Sequence, residues 1–215
     1  GGLTTLFIVK TNLNPLRASP VLKNAGAFEN IKLWDEALKR YESVLDLTWN
    51  HTYYYASLGR VYQEKYFGEP DHKKRALYLE KSRDYLLKSL SFSPLEQKRN
   101  ANLGRFYRML AQNTSNLSER AAKLKEAADY YERVYQLSPY DPELVNEWGS
   151  TYYEMQNYQK ALEIYRISLA ADKNFVETLA HLGEVYLVLN NPDEALKHYE
   201  KAGLLYFTGL ELLRD

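Results

Sequence analysis

Cysteine is absent from this 215-residue chain. That excludes disulfides, thiolate nucleophiles and cysteine-ligated zinc. Charge of one sign is missing too: 28 Lys and Arg balance 28 Asp and Glu, so nothing draws the whole chain to nucleic acid or to an anionic membrane. No stretch reaches the roughly 18 apolar residues of a spanning helix. The run Leu3–Val9 is too short to span, and it lacks the basic start and small-residue cleavage site of an intact secretory signal. It reads as the remnant of a membrane helix, the edge of a cleaved leader, or an arm that packs on protein. There is no glycine-rich phosphate loop and no GxSxG elbow. His51, His72, His181 and His198 show neither His-x-x-x-His spacing nor a dense acidic cluster, so they read as solvated or locally bonded. The pair Asp193 and Glu194 opens a helix and suits its dipole. The expectation is a chain with no catalytic residue, no metal and no cofactor.

What the chain does have is 20 tyrosines, against only 7 prolines, and an ordinary globular composition of 45% hydrophobic and 26% charged residues. The charge is unevenly placed. Residues 1–50 carry 6 basic and 5 acidic side chains, residues 51–141 carry 16 and 11, and residues 142–215 carry 6 and 12. Solvated helix faces account for this, and so does a polar axis for end-to-end contact.

The tyrosines recur in phase. Gly59, Gly104, Gly149 and Gly183 each precede a tyrosine three residues on (Tyr62, Tyr107, Tyr152, Tyr186), and Ala25 with Phe28 is a weaker copy. Further along each unit stands a small residue, Ala37, Ser82, Ala127, Ala161 or Ala195. Four positions later comes a large one, Tyr41, Leu86, Tyr131, Tyr165 or Tyr199. Pro94 and Pro139 close two units. This pattern resembles the tetratricopeptide repeat (TPR), a 34-residue helix–turn–helix. The resemblance implies an all-α, right-handed TPR superhelix of five repeats, at 18–51, 52–96, 97–141, 142–175 and 176–209. An extended N-terminal arm (1–17) precedes it and a short tail (210–215) follows. Glycine lets the second helix of a hairpin approach the first, small residues do the same from the other side, and aromatic rings fill the space between successive repeats. A lone hairpin cannot bury its apolar face, so each repeat depends on its neighbours.

Two units are 45 residues long, 11 more than the others. Eleven residues is about three helical turns, so such an insert lengthens a hairpin without rotating its buried face. The spacing predicts Gly68 at the end of one helix and a second helix over about 70–91 opened by Pro70. Asn116, with Glu119 three residues on, predicts a capping-box variant before a helix over about 117–137.

The runs Thr11–Ala18 (TNLNPLRA) and Ser93–Leu110 (SPLEQKRNANLGRFYRML) are similar to the C-terminal TPR tail of bacterial O-antigen ligase or polymerase-like membrane proteins. The resemblance implies a cell-envelope or extracellular interaction domain, with LTTLFIV as the end of the last membrane helix. Glycan-transfer chemistry in that family belongs to the membrane part, so no catalytic residue carries over.

TPR solenoids bind protein or peptide on the face of the first helix of each repeat. At those positions stand Tyr53, Arg60, Gln63, Lys98, Arg105 and Arg108, then Glu143, Asn146, Tyr153, Glu177 and Glu184. The face is expected to change from basic to acidic, and its arginines and Lys98 are suited to a carboxylate or an acidic peptide. The carboxylate clamp of chaperone-binding TPRs does not match, since Leu22 and Gly26 stand at its Lys and Asn positions. Asn50, Asn113 and Asn116 lie in Asn-x-Ser/Thr sequons, which chance or glycosylation explains. Both ends read as uncapped. Leu3, Leu6, Phe7, Ile8 and Val9 at one end, and Leu204, Leu205, Phe207, Leu210 and Leu213 at the other, are candidates for self-association. Either a missing domain covers them, or each end folds back, or copies join head to tail in an open-ended contact.

Overall fold

A computed structural model describes residues 14–45 and 52–212, and side chains for 19–21, 23–45 and 53–203. The described residues form ten helices and no strand: α1 (Asn14–Asn30), α2 (Trp34–Leu45), α3 (Thr52–Gly68), α4 (His72–Phe92), α5 (Gln97–Gln112), α6 (Leu117–Leu137), α7 (Pro142–Glu154), α8 (Tyr158–Ala171), α9 (Val176–Val188) and α10 (Pro192–Leu212). The chain divides into two compact units, Gly1–Arg99 and Asn100–Asp215. The first holds the hairpins α1/α2 and α3/α4. The second holds α5/α6, α7/α8 and α9/α10, and α5 begins just before its boundary. The N-terminal arm lies outside the described residues.

The hairpins close on the expected glycines. A Cβ on Gly59 would come within 2.7 Å of Leu86, on Gly104 within 3.0 Å of the Tyr131 ring, on Gly149 within 2.5 Å of Tyr165, and on Gly183 within 2.6 Å of Tyr199. These glycines are needed for closeness alone, since no described glycine has a positive φ. Ala37, Ser82, Ala127, Ala161 and Ala195 are all buried. Ser82 Oγ also donates to the Gly59 carbonyl at 2.8 Å. One expectation is corrected here: Tyr131, Tyr165 and Tyr199 do not simply fill space between repeats. Each lies against the glycine of its own hairpin.

A second register sits beside the first. The tyrosine three residues after the glycine stacks on the residue just before the large one. Tyr62 lies on Tyr85 (5.8 Å, 10°), Tyr107 on Tyr130 (5.7 Å, 9°) and Tyr186 on His198 (5.4 Å, 8°). In the α3/α4 hairpin the stack runs on through Tyr55 to Phe92.

The lengthened units divide their extra residues between both helices. α3 and α4 have 17 and 21 residues and α5 and α6 have 16 and 21, against 13 and 14 in α7 and α8. α3 ends at Gly68, as expected. α4 does not start at Pro70, because the Asp71 side chain accepts from the N–H groups of Lys73 and Lys74 and caps the helix there. Asn116 caps α6 by accepting from Glu119 N–H at 3.0 Å. The Glu119 carboxylate accepts from Thr114 Oγ1 at 3.0 Å.

The short units turn differently. Lys32, Gln156 and Asn190 have φ of 59°, 61° and 58°. Around each, two backbone bonds close the turn, as in Asn157 N–H to Tyr152 O and Gln156 N–H to Tyr153 O, both 2.9 Å. This is the Schellman arrangement with a residue other than glycine at its left-handed position.

Candidate functional site

The first-helix faces carry the side chains that the sequence singles out. In the first unit Tyr53 is exposed on α3, edge-on to Tyr54 at 6.1 Å. Arg60 Nη2 pairs with Glu29 of α1 at 3.2 Å and reaches Ser57 Oγ at 3.4 Å. Gln63 is half-buried on the same helix, and Lys98 is exposed near the start of α5.

In the second unit Arg105 Nε donates to Glu147 Oε2 at 2.8 Å, its Nη2 bonds the other carboxylate oxygen, and Glu143 lies 3.6 Å away. The Tyr131 hydroxyl also donates to Glu147, at 2.6 Å. Arg108 Nε and Gln112 Nε2 each donate to Glu154 Oε1 at 2.8 Å. The Glu147 hydrogen bond raises the Arg105 pKa. Burial opposes the Arg108 charge, but the hydrogen bond and charge of Glu154 outweigh it and the pKa rises. Burial, then the neighbouring Glu147 carboxylate, pushes the Tyr131 phenol well above its ordinary value.

Of the four cations of the expected basic half, three are therefore already paired within the chain, and Lys98 is exposed. Arg60, Arg105 and Arg108 are each held by a glutamate of the same chain. Residues Glu147 and Glu154 lie about one repeat beyond their arginines, which places them on the facing helix. A partly buried guanidinium needs such a partner.

Asn146 is a second correction. It is buried rather than on an open face. Its Oδ1 accepts from Thr178 Oγ1 at 2.9 Å and lies 3.0 Å from His181 Nδ1. Ser168 Oγ extends the network, 2.8 Å from both Thr178 Oγ1 and Pro142 O. The cause is the ring of hydroxyl donors that α8 and α9 bring over α7. His181 is stacked on Tyr165 at 5.5 Å, and burial lowers its pKa. Glu143, Glu177 and Glu184 are exposed. Tyr153 is half-buried against Tyr158, its phenol pKa raised by burial and then by Glu184.

Asn113 and Asn116 are exposed in the α5–α6 turn, the first donating to Met109 O at 2.8 Å. Asn50, and the side chains of all ten residues named for self-association, lie outside the described residues. Among the described residues no three His, Asp or Glu side chains group to hold a metal ion. None of their helices is long and apolar enough to cross a membrane.

The sequence reading passed over Trp34. This half-buried ring opens α2 and packs on the first unit's core. It walls two cavities, of ≈ 290 Å³ and ≈ 280 Å³, and Glu64 lines both.

A model of the family described as anaphase-promoting complex, cyclosome, subunit 3 matches residues 121–202, less than half of the chain. The human protein O-mannosyl-transferase TMTC1 is 30% identical over 96 residues, 45% of this chain and 10% of that protein. The chain thus spans about a tenth of that curated relative's length. Among solved structures, MamA 41-end from Desulfovibrio magneticus RS-1 is 15% identical with a TM-score of 0.69, covering 89% of this chain and 96% of that one. TTC0263, a thermophilic TPR protein in Thermus thermophilus, is 18% identical with a TM-score of 0.66, covering 91% and 94%. Glycine-seated hairpins repeating every 34 or 45 residues, together with this likeness to solved structures, show a tetratricopeptide-repeat fold.

Proposed function

We propose that the chain is a non-catalytic protein–protein interaction scaffold of the cell envelope, related to the repeat tails of O-antigen ligase-like membrane proteins. The observation that carries the scaffold reading is the set of bonds across the first-helix faces, such as Arg105 to Glu147 and Arg108 to Glu154, which pre-orders a polar surface on paired helices. The TPR fold is typically non-enzymatic. The relation to a human protein named as an O-mannosyl-transferase supports a repeat domain beside glycan-transfer machinery, since so small a part of that protein is shared. In-cell crosslinking followed by recovery from envelope fractions tests the reading. Protein partners in the membrane-associated fraction are expected. Recovery of the chain alone in the soluble fraction overturns the envelope assignment, and glycan transfer by the chain alone overturns the non-catalytic one.

A second reading is a structural subunit that joins head to tail into an extracellular filament. The repeat seats favour it. Leu162 of α8 is 6% exposed, while Leu196, 34 residues on in α10, is 58% exposed. At the other end Ala27 of α1 is exposed, whereas the matching Val61, Phe106 and Val185 are buried. Leu196 and Ala27 thus leave exposed two apolar seats whose counterparts, Leu162 for the first and Val61, Phe106 and Val185 for the second, are buried. Light scattering that grows with concentration, and that Leu196→Glu or removal of residues 1–17 abolishes, is the expected result. A monomer at every concentration sinks this second reading.

A further inference from the structure

Trp34 owes its position to the turn before it. Lys32, at φ 59°, reverses the chain, and the Leu33 N–H closes the turn on Phe28 O at 2.9 Å. The indole is thereby set at the first position of α2, between the end of α1 and the end of α3. One cavity beside it is lined by Asp35, Glu36, Glu64, Lys65, Glu69 and Tyr78 among others. The other is lined by Glu29, Arg60, Val61, Gln63 and Glu64 with Asn30. Leu33 lines the first cavity and is 48% exposed, and Ile31, two residues before it in the same turn, is 63% exposed.

The charge in this cleft is uneven. Five carboxylates line it, Glu29, Asp35, Glu36, Glu64 and Glu69, against three cations, Lys32, Arg60 and Lys65. Two of the cations are already held, Arg60 by Glu29 and Lys65 by Asp35. Lys65 also sits over the Tyr78 ring at 5.0 Å. Glu36 and Glu64 have no ion-pair partner among the described residues, and Glu64 belongs to both cavities. An indole next to unpaired carboxylates favours a guest cation through both the ring quadrupole and the charge. A cavity below about 300 Å³ suits a side chain rather than a whole cofactor.

We infer that the Trp34 cleft binds a cationic side chain, Arg or Lys, presented by an extended segment of a partner protein whose flanking apolar groups rest on Ile31 and Leu33. The inference builds on the scaffold reading and names the chemistry that the scaffold selects. An acidic partner is disfavoured by the same carboxylates.

The test uses the full chain labelled with ¹⁵N. Its three tryptophans give three indole N–H signals, and Trp34→Phe identifies one of them. Triarginine amide is titrated in parallel with triglutamate. Triarginine should move the Trp34 signal saturably, less so at high salt, and triglutamate should leave it in place. The double variant Glu36→Gln with Glu64→Gln should bind at least about fivefold more weakly and stay folded, since both side chains are exposed and losing the Glu36 charge from the first turn of α2 lowers stability only modestly. An unmoved Trp34 signal, an equal response to triglutamate, or undiminished binding by the double variant overturns the inference. Arginine amide binding as tightly as triarginine overturns its peptide part. Movement of the Trp148 signal instead would overturn the Trp34 site while leaving the scaffold reading intact.

Discussion

At the scale of single residues, the glycines divide into two kinds by what a methyl group would meet. Gly149 faces the Tyr165 ring, which is fully buried and has no room to retreat. Alanine there improves helix propensity by up to about 1 kcal/mol, but overpacking costs about 1–3 kcal/mol and a buried ring cannot swing aside. Gly149→Ala should destabilise by about 1–2 kcal/mol in urea unfolding, and combining it with Tyr165→Leu should cost less than the sum of the single changes. Gly26 in α1 has nothing within 4 Å of its would-be Cβ. Gly26→Ala should therefore stabilise by about 0.5–1 kcal/mol. His181 gives a prediction in pH. Burial lowers its folded pKa below the ordinary 6.5, so the unfolded chain takes up the proton first as pH falls. Its contribution is complete above the unfolded value and declines as pH drops through the window between the unfolded and folded pKa values. His198, also lowered by burial, acts in the same sense. The urea midpoint should fall as pH drops through and below the ordinary histidine value of 6.5, and His181→Asn should flatten part of that slope.

At the scale of the element, the turns of the short hairpins carry a non-glycine residue at positive φ, which the described turns of the long ones do not. Gln156 sits at φ 61°, a conformation that costs a side-chain-bearing residue about 1 kcal/mol and glycine little. Gln156→Gly should raise stability by up to about 1 kcal/mol, somewhat less after the added freedom of the unfolded chain, and the melting temperature by roughly 2–4 °C. A lower melting temperature would mean that the Gln156 side chain contributes more than its backbone costs. The hairpins were legible in sequence because glycine and the small helix residues answer to one neighbour at a fixed offset. The helix-face chemistry was harder to read. Arg105 meets Glu147 and Arg108 meets Glu154 at separations of 42 and 46 residues. Those separations bracket one 45-residue unit, a signal present in the sequence but visible only once helices are paired. Taking each repeat alone left the arginines looking free. Asn146 read as exposed for the same reason, since its burial comes from Thr178 and His181 one repeat later.

At the scale of the molecule, a repeat array distributes stability by neighbourhood, because each hairpin packs mainly on the next. The two compact units divide at Arg99 and Asn100, and each carries a described tryptophan: Trp34 in the first and Trp148 in the second. Trp148 is buried and lies 5.5 Å from Tyr135, so its fluorescence follows packing in the second unit. Trp34 packs on the cluster that includes Ala37, Tyr41 and Leu58, and follows the first. With Trp49 and one of the other two replaced by Phe, each unit can be followed separately. A lesion at Gly149 is confined to the α7/α8 hairpin, so it should lower the urea midpoint reported by Trp148 more than that reported by Trp34. Equal displacement of both midpoints would mean that the chain unfolds as one cooperative body. The helix-pairing energy would then be shared across the boundary at Arg99 rather than held locally, and ΔΔG values from single repeats would have to be read as properties of the whole array.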